Sequence, residues 1–98
     1  MAINKTYELK AVFGKNLKFY RLENNLTQSE LAEKANLSEK FISDLERGIF
    51  GASLDTIIEL SKILNIEPYF LLKNDESHNG VPSRLDIKTG TRKRKAKC

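Results

Sequence analysis

Apolar residues recur every three to four positions along the first 72 residues, and the recurrence breaks only at a few polar residues and glycines. Between Thr6 and Asn24 the set Leu9, Val12, Phe13, Leu17 and Tyr20 predicts a first helix. Gly14 lies inside that stretch and costs a helix about 1 kcal/mol relative to alanine, which moves the expected start toward Val12. Thr27-Gln28-Ser29-Glu30 has the form of a capping box, in which the threonine oxygen takes an amide three residues on and Glu30 reaches back. A second helix therefore starts there, with Leu31, Ala32 and Ala35 on its apolar face, and ends at Asn36, a residue type that tolerates positive φ. Ser38 caps a third helix, which Phe41, Ile42 and Leu45 pack and Gly48 ends. Ser53 and Asp55 open a fourth with the wide stripe Leu54, Ile57, Ile58, Leu60, Ile63 and Leu64. Pro68 suits the first turn of a short fifth helix, Glu67 to Lys73, where the core can take only about two of Tyr69, Phe70, Leu71 and Leu72. Strand-like alternation and internal repeats are absent, so the expected fold is all-α, a compact five-helix domain followed by a basic tail.

A chain of 98 residues has room for one domain. Residues 1–12 are an N-terminal extension or the start of the first helix, 13–73 form the folded domain, and 74–98 form a flexible tail without apolar periodicity. The net charge of +4 is unevenly placed. Residues 1–12 carry two basic groups and one acidic, residues 13–72 seven against nine, and residues 73–98 eight against three, giving +1, −2 and +5. Net charge thus gives no argument that the domain itself binds nucleic acid. The run Arg92-Lys93-Arg94-Lys95 with Lys97 fits salt-sensitive phosphate contacts and fits a merely solvated tail equally well.

Other patterns narrow the function. The longest apolar runs have four residues, such as Tyr69 to Leu72, too few to cross a bilayer. Met1 to Lys5 lacks the apolar core of a secretory signal, so a cytoplasmic location is expected. The lone cysteine, Cys98, allows neither an internal disulfide nor a cysteine-based zinc site. His78 has no partner at ligand spacing and is expected to be exposed, with no metal role. No nucleophile with a base, no carboxylate pair and no phosphate loop is visible, which argues against an enzyme and implies no cofactor.

Two short helices separated by about three residues, the second with a polar outer face, form a helix-turn-helix. Counting from Gln28, the packing positions are Leu31 (fourth), Ala32 (fifth), Ala35 (eighth), Leu37 (tenth), Ile42 (fifteenth) and Leu45 (eighteenth), all apolar or small. Ala32 must be small where the helices cross, and Asn36 stands where a left-handed residue is needed. From Phe13 to Leu72 the chain resembles the Cro, Xre and phage-repressor (lambda-repressor-like) family of DNA-binding domains. The resemblance is carried by Leu17 and Arg21, by Leu26-Thr27-Gln28-Ser29-Glu30-Leu31-Ala32, and by Leu37-Ser38, Ile42-Ser43, Leu45-Glu46-Arg47-Gly48, Ser53-Leu54 and Leu64-Asn65-Ile66.

The resemblance implies a regulator of transcription, most simply a repressor, that places the third helix in the major groove of double-stranded DNA. It implies a DNA-facing set of Gln28, Ser29, Ser38, Glu39, Lys40, Ser43, Asp44 and Arg47. Gln28 matches a phosphate contact, at a helix N-terminus whose free amides also attract anions. Glu39, Lys40, Ser43 and Asp44 match base-reading positions; Lys40 can donate to guanine or phosphate, and the two acids can accept from cytosine N4. Arg21 and Glu46 match a structural pair between the first and third helices and stay off the DNA list. The loop Ile49-Phe50-Gly51-Ala52 departs from relatives that carry Lys, Arg or Asn there. Ile66, Tyr69, Phe70 and Leu72 are the expected homodimer surface. Two alternatives share the fold: a protein-interaction module that presents the acidic third helix to a protein, and an antitoxin or restriction-modification controller.

Overall fold

The computed structural model describes residues 2–75 and His78, with side chains from Leu9 onward. Four α-helices, α1 (Ala2–Glu23), α2 (Gln28–Ala35), α3 (Glu39–Glu46) and α4 (Leu54–Leu64), precede a 3-10 turn at Pro68–Leu71. No strand occurs among the described residues, and none of their helices is long and apolar enough to cross a membrane.

Local chemistry sets most of the boundaries. Thr27 Oγ1 accepts from the Glu30 amide at 3.0 Å while Glu30 Oε1 accepts from the Thr27 amide at 2.9 Å, so the expected capping box starts α2. Ser38 and Ser53 accept from the amides of Phe41 and Thr56 to start α3 and α4. Asn36 (φ 58°) ends α2, and Gly48 (φ 77°) follows α3, where the Gly48 and Ile49 amides close back on the carbonyls of Leu45 and Asp44. Asn25 and Asn65 turn the chain after α1 and α4 in the same left-handed way. The core is Phe13 and Leu17 from α1, Leu31 and Ala32 from α2, Ile42 and Leu45 from α3, Ile57, Leu60 and Leu64 from α4, and Leu71 from the turn. Each fully buried leucine contributes roughly 1.5–3 kcal/mol.

Several expectations need correction. α1 starts at Ala2 and runs without a break through Gly14, against which the backbone carbonyls of Leu45 and Glu46 pack. The apolar stripe of α4 is wider than the core can cover, so Leu54 (74% exposed) and Ile58 (44%) face outward. The fifth element is a single 3-10 turn and not an α-helix, since four residues led by a proline sustain only that. Asn16 ends it, donating through Nδ2 to the Leu71 and Lys73 carbonyls at 2.9 and 2.8 Å. Of the four apolar residues in this region, Leu71 is buried, Phe70 and Leu72 are half-buried and Tyr69 is exposed.

His78, expected to be exposed, is buried. Its ring stacks on Phe19 with centroids 3.7 Å apart, and Nδ1 lies 2.7 Å from Asn16 Oδ1. Because the Asn16 amide nitrogen is committed to two carbonyls, its oxygen faces the ring and Nδ1 must donate. Lys15 Nζ donates to Asn74 Oδ1 at 3.1 Å, so the start of the expected tail packs along α1. The basic run at 92–97 and Cys98 lie outside the described residues.

Candidate nucleic-acid interface

Helices α2 and α3 meet through Leu31, Ala32, Ile42 and Leu45, and the left-handed Asn36 sets the turn between them. This packing turns their remaining sides outward. Ser29 and Ser38 are exposed at the two N-terminal ends, and Gln28 is half-buried beside Ser29. On α3, Glu39 and Lys40 are exposed and Ser43 is half-buried, and Arg47, which caps its C-terminus, is exposed, so seven of the eight expected positions are reached by solvent at least in part.

Asp44 is the exception. Its side chain is only 6% exposed, with Oδ2 3.2 Å from Lys40 Nζ and Oδ1 2.6 Å from Arg47 Nη2. Burial by itself would raise the Asp44 carboxyl, but the hydrogen bonds and positive charges of Lys40 and Arg47 outweigh it and hold the group below the usual carboxylate range.

The other charge cluster holds the helices together. Arg21 grips Glu46 through Nε (2.6 Å to Oε2) and Nη2 (3.1 Å to Oε1), and its Nη1 donates to the Leu26 carbonyl at 2.8 Å. Both side chains are about 95% buried, so the pair is structural, as expected. A further bond joins them: Gln28 Nε2 donates to Glu46 Oε1 at 2.9 Å. Glu46 thus fixes the side chain that opens α2, a contact across 18 positions that no local sequence signal announces. One hydrogen on Gln28 Nε2 stays available to an acceptor outside. A groove beside it is lined by Lys18, Leu22, Asn25, Thr27 and Glu39. In the loop after α3, Phe50 packs its ring 6.5 Å from that of Phe41 and, like Ile49, stays half exposed.

A family model described as Helix-turn-helix matches residues 17–71 of this chain. The chain belongs to the helix-turn-helix family. The match opens at Leu17 and closes at Leu71, so Gly14, Asn16 and His78 lie outside it. This helix-turn-helix protein is 38% identical over 68 residues to Control protein C.BamHI of Bacillus amyloliquefaciens, covering 68% of its own length and 84% of that protein. It is 43% identical over 82 residues to the Immunity repressor protein of Bacillus phage phi105, covering 76% of its own length but 56% of the repressor. Its fold matches the restriction-modification controller protein C.AhdI from Aeromonas hydrophila with a TM-score of 0.63 at 34% identity, over 66% of this chain and 94% of that one. These relatives are named as control and repressor proteins.

Proposed function

We propose that this protein binds double-stranded DNA sequence-specifically, as a cytoplasmic, non-enzymatic regulator of transcription, with α3 in the major groove. What supports this reading is the shared surface of α2 and α3. These two helices carry an α2 N-terminus with free amides, the braced Gln28, the exposed donors Lys40, Arg47, Ser29 and Ser38, and the half-buried Ser43. An N-terminus and a glutamine suit phosphate, and a helix of this width fits the major groove. Repression follows most simply, because a domain seated on a promoter blocks polymerase.

Selection of duplexes from a random library at physiological salt tests the reading, and an enriched inverted repeat is the expected result. Enrichment of no site would turn attention to a protein partner for α3. In a folded Lys40→Ala protein, affinity for the selected site should fall by roughly 1–3 kcal/mol, with relaxed preference at one base pair, if Lys40 reads a guanine. Unchanged affinity and preference remove Lys40 from the interface.

The inverted repeat follows from a homodimer, which we place on the exposed Tyr69 with the half-buried Ile66, Phe70 and Leu72. Sedimentation at tens of micromolar should give twice the 11.2 kDa chain mass. A monomeric mass there removes the dimer.

A further inference from the structure

Asp44 is an acid on the helix that would face a polyanion, and it is buried between the two exposed cations of that helix. We propose that Asp44 is a positioning residue for DNA specificity, acting by holding Lys40 and Arg47 in a fixed, partly neutralised arrangement. The proposal rests on the reading that α3 enters the groove.

Three observations carry it. First, the Asp44 side chain is 6% exposed, against 82% for Lys40 and 60% for Arg47, so a base approaching α3 meets the cations before the carboxylate. Each carboxylate oxygen is already taken, Oδ2 by Lys40 and Oδ1 by Arg47. Each oxygen keeps a second lone pair, but the two cations cover the buried carboxylate, and direct reading of a cytosine amino group by Asp44 is thereby disfavoured.

Second, the spacing is the helical one. Lys40 lies four positions before Asp44 and Arg47 three after, so all three share a face across two turns. Arg47 spends one edge of Nη2 on Asp44 and keeps its other donors for DNA, with the plane of its guanidinium fixed by the short 2.6 Å bond. Lys40 keeps two ammonium hydrogens.

Third, Asp44 halves the local positive charge. Lys40, Asp44 and Arg47 together carry one net positive charge where the two cations alone would carry two, and Glu39 stands beside them. The sequence-independent attraction of a protein for DNA comes from cations that neutralise phosphates. Asp44 lowers that term and penalises phosphate positions that the outward donors cannot reach, which favours the one register in which they find partners. It trades absolute affinity for discrimination.

The test measures affinity for the library-selected duplex and for a scrambled duplex over a range of salt, using full-length wild type, Asp44→Asn and Asp44→Glu. Asp44→Asn keeps the volume but releases Lys40. The scrambled duplex should bind about 5- to 10-fold more tightly, the slope of log affinity against log salt should steepen by about one, and discrimination should fall accordingly. Asp44→Glu keeps the charge and displaces it, so discrimination should fall with the slope unchanged.

Discrimination equal to wild type in the folded variants overturns the proposal, as does an equal loss on both duplexes. A changed preference confined to one base pair, at wild-type salt slope, would make Asp44 a direct reader and overturns it too. Should Asp44→Asn fail to fold, Asp44→Glu decides by the same criterion. A wild type that selects no duplex overturns the DNA reading and the proposal together, whereas a discriminating wild type matched by both variants overturns the proposal alone.

Discussion

Glu46→Ala is expected to destabilise the protein by about 3–5 kcal/mol, the range for stranding one partner of a buried ion pair. The Glu46 carboxylate accepts twice from Arg21 and once from Gln28, and Arg21 in turn holds the Leu26 carbonyl. One side chain of α3 therefore ties down α1, the α1–α2 connection and the first residue of α2. Its removal leaves a guanidinium that is 5% exposed with no counter-charge. Domains of this size have about 5–15 kcal/mol in total, so the variant should be close to unfolding at 37 °C. Chemical denaturation measures the loss. The double variant Arg21→Met/Glu46→Leu separates mechanism from packing, because apolar replacement of both partners should recover most of the stability. A loss below about 1 kcal/mol in Glu46→Ala would mean that the pair behaves as a solvated surface bridge.

The contrast between Glu46 and the helix boundaries shows which parts of this fold are legible in the sequence. Thr27 with Glu30, Ser38, Asn36 and Gly48 act on residues three or four positions away, so their effect can be read from spacing alone. The Arg21–Glu46 pair was legible only through the family resemblance, and the bond from Gln28 to the same carboxylate was not legible at all. Asp44 illustrates a second limit. Its helical position puts it on the outer face, but Lys40 and Arg47 lie over it, and a pattern of polar and apolar letters does not say which polar side chain covers another. α4 illustrates a third: six apolar residues predict a wide buried stripe, yet the elements packed on this helix cover only part of it. His78 had no local signal, because its partners Asn16 and Phe19 come from α1, about 60 positions away.

Gly14 reverses a sequence inference outright, and Gly14→Ala should lower stability by roughly 2–3 kcal/mol even though alanine is the better helix former. By propensity alone the substitution gains about 1 kcal/mol. A Cβ built at this position, however, lies 2.5 Å from the Leu45 carbonyl oxygen and 2.6 Å from that of Glu46. Both are backbone atoms at the end of α3, which cannot rotate aside as a side chain would, so overpacking here reaches or exceeds the usual 1–3 kcal/mol. Relief requires α1 to move off α3, which stretches the Arg21–Glu46 bonds and disturbs the approach of Gly48 to Ala11, where a Cβ would already lie 3.4 Å away. Placement of α3 should therefore suffer along with stability, and selected-site affinity should fall in the variant even at temperatures where it remains folded. Denaturation midpoints equal to or above wild type would show that α1 and α3 do not approach this closely, and that the glycine is only a weak point in the helix.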